Sequence, residues 1–198
     1  MDLTFGSSGA MAAQIRAGAP IDVLVAADER IVADLSRDAF VIDASLRTVA
    51  RNRLVVLQRS QLPARVASVD DLRRPDIDRI AIPDESVPLG AYTRAWLQRE
   101  NVLAAVEDRI VPTAHARATL SAVENGDVDV AVVYATAVRL AQNARVAFRV
   151  DPSRHPPIRY AAVRVAGSRQ TALAERFVAF LGSEVARSEL RAAGFEDP

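Results

Sequence analysis

FGSSGAMAAQIRAGAPIDVLVAADE, residues 5–29, joins a serine-glycine turn, a helix pattern, a second glycine turn and an apolar strand within one compact unit. Gly6, Ser7, Ser8 and Gly9 make a flexible polar turn, and 10–17 has helix-forming composition closed by Gly18. Ser7 and Ser8 therefore stand where a helix N-cap belongs. Such a turn supplies hydroxyl donors, free backbone N–H groups and the positive end of the helix dipole. Together these hold an oxyanion without lysine or arginine. Two ordinary capping serines satisfy the same pattern, because Ser and Gly are common at helix starts whatever they bind.

Outward from this stretch, short apolar runs alternate with helical patterns, the order expected of parallel sheets with crossover helices. The patterning predicts strands at 3–5, 22–26, 53–58, 79–82, 128–134 and 160–165, and helices at 10–17, 29–37, 69–73, 90–100, 114–125 and 171–193. Gly126 and Gly194 occupy helix-ending positions. Three prolines in 151–157 mark a connector that continues neither a helix nor a central strand. Periodicity alone allows one continuous doubly wound sheet as readily as two lobes.

Composition narrows the function classes. With 198 residues, half of them apolar, the chain buries a real core. Acidic and basic residues balance at 25 each, so no broad basic field argues for nucleic acid or an anionic membrane. No apolar run approaches the roughly twenty residues of a membrane span. Absence of cysteine removes disulfides, thiolate metal sites and cysteine nucleophiles. Every basic residue is arginine, so Schiff-base and phosphate-loop lysine chemistry is absent as well. Gly6 to Gly9 lacks the lysine and spacing of a nucleotide P-loop. Ser7 and Ser8 have no persuasive general base, and His115 and His155 lack the spacing of a zinc pair. No catalytic constellation and no direct cation site emerge. The runs 70–74 and 183–191 read as solvated helix faces.

The chain resembles the periplasmic molybdate-binding proteins of ABC importers. The resemblance is carried by FGSSGAMAAQI with AGAPIDVLVAADE, then by RNRLVVL, IAIPDESVPLGAYTRAWL and VENGDVDVAVVYATAV, and ends at FVAFLGSEVARSELRAAGF. It implies an α/β, two-lobed type II periplasmic-binding-protein-like fold whose lobes close on the ligand. Lobe one would be 1–50 plus 155–198 and lobe two 51–154. The family's initial strand, serine loop and first helix have no counterpart ahead of Leu3, so the resemblance implies an incomplete first lobe and a reading frame without its export signal.

The site that the resemblance implies carries over residue by residue. Ser8 matches the family's second-strand serine, with Ser7 as cap or accessory donor and Gly9 beside it. Leu89, just before Gly90 in SVPLGAYTRAWL, falls on the position whose backbone N–H meets the oxyanion; the family commonly has a small residue there, so leucine is a departure. Ala116 in PTAHARATL is the next backbone donor, with Thr113 as N-cap. His115 and Arg117 flank it as accessory residues, the histidine adding pH sensitivity. Tyr134 matches a tyrosine whose hydroxyl donates to the oxyanion; read without the resemblance, it is equally a tyrosine ending a buried strand with its hydroxyl in solvent. The resemblance further implies a monomeric, extracytoplasmic solute-binding component without cofactor or turnover. It would capture molybdate or tungstate for the membrane subunits of an ABC permease. An intracellular small-ligand sensor module of a regulator with the same fold, and a fragment that binds nothing, are the alternatives.

Overall fold

The structure is a computed structural model and describes residues 2–198. The chain forms two compact units, one made of residues up to Asn52 together with Ile158–Pro198, the other of Arg53–Pro157.

The first unit is built on a three-stranded antiparallel sheet of order β1-β8-β2, with β1 Val23–Ala26, β2 Arg47–Asn52 and β8 Ile158–Arg164. Alternation along β8 sorts its side chains onto two faces. Ala161 and Val163 join Leu24 and Ala26 in a core with Ala12 and Ile15 of helix α1, Ser8–Arg16, and Val32 and Leu35 of helix α2, Glu29–Arg37. Ala162 on the opposite face packs with Val49 and with Val178 of helix α6, Thr171–Leu181. Tyr160, on that second face, meets Phe195 edge to face with ring centroids 5.0 Å apart. Asn52 hydrogen-bonds the Tyr160 hydroxyl, while burial pushes the phenol up to about 12. The phenol therefore stays neutral.

The second unit holds a five-stranded mixed sheet of order β5-β4-β6-β3-β7. Its strands are β3 Leu54–Arg59, β4 Ile80–Pro83, β5 Ile110–Thr113, β6 Val130–Tyr134 and β7 Ala144–Arg149. β4 runs parallel to β5 and β6, whereas β3 is antiparallel to β6 and β7. β6 and the first four residues of β3 are wholly buried, as continuous apolar runs covered on both faces should be. Helices α3, Pro88–Arg99, and α5, Ala116–Glu124, pack on this sheet, and the short α4, Leu103–Val106, follows α3.

Several sequence expectations are corrected. Residues 3–5 form no strand: among the described residues β1 bonds only β8, and Leu3 and Phe5 are 62% and 86% exposed. An apolar run without a ladder partner has nothing to hold it extended. The all-parallel order also fails: β8 is antiparallel to β1 and β2, β3 is antiparallel to β6 and β7, and the parallel pairs are those of β4 with β5 and β6. The segment 69–73 is a 3₁₀ turn at Asp70–Arg73. The long C-terminal helix breaks at Gly182, and Ser183 caps a new helix α7, Glu184–Ala192, by accepting from the Ala186 N–H at 3.3 Å. Strands β2, β5 and β7 lie outside the pattern. β7 is a half-exposed edge, and β5 carries Pro112, which an edge strand tolerates. Gly126 and Gly194 do end helices, at φ of 79° and 90°.

Candidate functional site: helix starts that offer backbone donors

Three helix starts contain the sequence-predicted site residues other than Tyr134, and each leaves backbone N–H groups without an intrahelical acceptor. At α1 the helix begins at Ser8, two residues earlier than the pattern indicates. Ser7 is its N-cap, with Oγ accepting from the Ala10 N–H at 3.2 Å. The first-turn donors left over are those of Ser8 and Gly9. Ser8 is nearly buried, and its Oγ accepts from the Ala27 N–H at 3.0 Å. That bond ties the start of α1 to the residue just after β1 and leaves the hydroxyl hydrogen to donate. Ala27 had no signal in the sequence, because its role is purely main-chain.

In the second unit the parallel strands bring the candidates to one edge. β4 and β5 pair in register as far as Pro83 with Thr113, the Asp84 N–H reaches the Thr113 carbonyl at 3.1 Å, and β6 runs the same way beside β4. The start of α3, the start of α5 and Tyr134 thus all follow carboxyl ends of neighbouring parallel strands, where α/β sheets commonly bind ligands. Pro88 opens α3 and has no N–H, and Val87 makes no side-chain cap, so the Leu89 and Gly90 N–H groups remain. The Leu89 side chain is buried, at 1% exposure. Gly90 has no room for a side chain: a Cβ there would lie 2.2 Å from the Asp84 carbonyl oxygen and 2.4 Å from that of Pro83.

At α5 the structure replaces the expected cap. His115, not Thr113, is the N-cap, its Nδ1 accepting from the Ala118 N–H at 3.0 Å. Thr113 instead pairs its hydroxyl with that of Thr119 at 2.7 Å. Thr113 lies too far ahead of the helix for its side chain to cap the first turn. The Ala116 and Arg117 N–H groups remain open, and the Arg117 side chain is exposed. Tyr134 ends β6 opposite Leu54, with its hydroxyl oxygen buried rather than in solvent. His155, which the sequence left without a role, is buried with Nδ1 donating to the Pro156 carbonyl at 2.8 Å.

Asp28 and Asp84, each close in sequence to these donors, are both occupied. Asp28 caps α2 through the Arg30 N–H at 2.9 Å and is also gripped by the Arg30 guanidinium at 2.8 Å. Asp84 accepts from the Ser86 N–H at 2.9 Å, which holds its carboxyl below the ordinary value. Among the described residues no group of three histidine, aspartate or glutamate side chains is arranged to hold a metal ion. What these helix starts offer chemically is hydrogen-bond donation from neutral groups.

Comparison with known proteins identifies the class. The family model described as bacterial extracellular solute-binding protein matches residues 1–196. The chain belongs to this family. The solute-binding lipoprotein YvgL of Bacillus subtilis, assigned to an ABC transporter, is 29% identical over 96% of this chain and 73% of its own length. The molybdate-binding protein ModA of Haemophilus influenzae is 26% identical over 97% of this chain and 77% of its own. Among solved structures, the periplasmic molybdate-binding protein of Azotobacter vinelandii superposes with a TM-score of 0.85 at 25% identity, covering 98% of this chain and 86% of that one. The sulfate-binding protein SubI of Mycobacterium tuberculosis shares the fold, with a TM-score of 0.80 at 20% identity over 98% and 75% of the two chains. The fold is thus the α/β periplasmic-binding-protein fold. As a solute-binding protein the chain is not an enzyme, and no helix among its described residues is long and apolar enough to cross a membrane.

Proposed function

We propose that this solute-binding protein captures molybdate, or the nearly equal-sized tungstate, outside the cytoplasm and delivers it to the membrane subunits of an ABC permease. In this reading Ser7, Ser8, Leu89, Ala116 and Tyr134 are the donors to the oxyanion, with Gly9, Gly90, His115 and Arg117 shaping the donor turns. The observation that carries this reading is that the start of α3, which has no side-chain cap, the start of α5, where the His115 cap leaves the Ala116 and Arg117 N–H groups open, and Tyr134 all lie at the carboxyl edge of β4, β5 and β6. A tetrahedral dianion offers only acceptors, so neutral N–H and O–H groups satisfy it while an unpaired carboxylate would repel it. Likeness to the molybdate-binding relatives supports the choice of ligand, and the larger cavity that molybdate needs would disfavour sulfate.

Titration calorimetry with molybdate, tungstate and sulfate tests the assignment. Saturable binding of molybdate and tungstate, with sulfate much weaker, is expected. Preference for sulfate would transfer the chain to the sulfate-binding branch of the fold, and silence toward all three would end the oxyanion reading.

A further inference from the structure

Helix α5 starts with an imidazole where Ser, Thr, Asp or Asn is usual. Because Nδ1 accepts the Ala118 N–H, the ring in this arrangement is the neutral tautomer carrying its hydrogen on Nε2. The same residue is held from the other side, its carbonyl accepting from the Thr119 N–H at 3.1 Å and the Thr119 hydroxyl at 3.3 Å. Thr119 Oγ1 in turn stands 2.7 Å from Thr113 Oγ1, at the end of β5. Thr119 thereby ties the last residue of β5 to the His115 carbonyl, while the His115 imidazole holds the first turn of the helix.

Resting on the oxyanion reading above, we propose that His115 is a positioning residue of the site. Its imidazole engages the third N–H of the helix and fixes the first turn, so that the Ala116 and Arg117 N–H groups are the pair presented to the ligand. A small cap would satisfy the same N–H, but alanine would leave Ala118 competing as a donor and the first turn free to fray. The role is exerted through backbone geometry, and the imidazole need not touch the anion.

Wild-type protein, His115→Ala and His115→Asn are titrated with molybdate, and amide exchange at Ala118 is followed by NMR in each. Loss of one cap corresponds to about fivefold in affinity. The expected result is binding about fivefold weaker in His115→Ala, with faster exchange at Ala118, and recovery of both in His115→Asn. In the wild type, molybdate should shift the Ala116 and Arg117 amide resonances, and a long-range imidazole spectrum should show hydrogen on Nε2 alone. Wild-type affinity in His115→Ala overturns the proposal, as does restored Ala118 protection in His115→Asn without restored affinity. If the wild type binds no molybdate, tungstate or sulfate, the oxyanion reading itself fails and this inference falls with it, an outcome visible before any variant is made.

Discussion

Ser8 does two jobs with one hydroxyl, since it accepts from the Ala27 N–H inside its own unit and keeps a hydrogen to give. Ser8→Ala removes both. The Ala27 N–H loses its partner, which costs about 1–2 kcal/mol of stability, and molybdate loses a charge-assisted bond, which should weaken binding about 10- to 100-fold. Calorimetry and urea unfolding of the same variant separate the two effects; unchanged affinity would remove Ser8 from the site. Gly90 illustrates the opposite case, a residue defined by what cannot be there. Its missing Cβ allows the Pro83 and Asp84 carbonyls to approach the first turn of α3. Gly90→Ala must push that turn away from the end of β4, at about 1–3 kcal/mol. Because the displaced turn carries the Leu89 N–H, affinity should fall along with the urea midpoint. A variant that loses stability yet binds normally would show that Leu89 is not a donor.

At the scale of elements, what was legible in the sequence depended on whether a signal was local. Ser7 as a cap, Gly126 and Gly194 as helix ends, and β3 and β6 as buried apolar runs are written in adjacent residues, and the structure contains them. Residues 3–5 look as much like a strand as any of these, yet pairing is a long-range property and they have no partner. The histidine cap on α5 was missed because imidazole is a rare N-cap and Thr113 a common one. Backbone donors such as Leu89 and Ala116 carry no side-chain signature at all, so only resemblance pointed to them. The end of α3 shows a further long-range tie. The Glu100 carboxylate, almost fully covered, is hydrogen-bonded by the Arg154 guanidinium, and Arg99 Nη1 donates to the Ser153 carbonyl at 2.8 Å. This pins the 151–157 connector to the helix. The Arg154 bond holds the Glu100 carboxyl below its ordinary value of 4.5. A carboxyl lowered in the folded state stabilises fully above its unfolded value and loses that contribution as pH falls toward the folded one. Glu100→Gln should therefore cost about 1 kcal/mol at pH 7, and the wild-type advantage should shrink as pH drops below 4.5. Urea midpoints of the two proteins across that range check it; a constant gap would mean that the pair contributes through packing and not through charge.

For the whole molecule, the consequence of two units with separate sheets is that stability need not be shared between them. The chain passes from one to the other at Asn52 and Arg53 and returns at Pro157 and Ile158, and Asn52 pairs with Ile158 in the first sheet. A ligand held by donors from only one unit stabilises that unit alone, whereas a ligand held by both raises the unfolding free energy of both by mass action. The sequence supplies a reporter for this distinction. Its single tryptophan, Trp96, is buried in the second unit against Phe148, with ring centroids 6.1 Å apart, so indole fluorescence follows that unit. Far-ultraviolet circular dichroism follows the helices of both units. With molybdate at about one hundred times its dissociation constant, the fluorescence transition in urea should gain about 2.7 kcal/mol. If Ser7 and Ser8 share the anion with Leu89, Ala116 and Tyr134, the dichroism transition must rise with it and the two curves should merge into one. A fluorescence curve that moves while a separate dichroism phase stays in place would assign the ligand to the second unit alone. The serine turn at residues 6–9 would then revert to an ordinary helix cap.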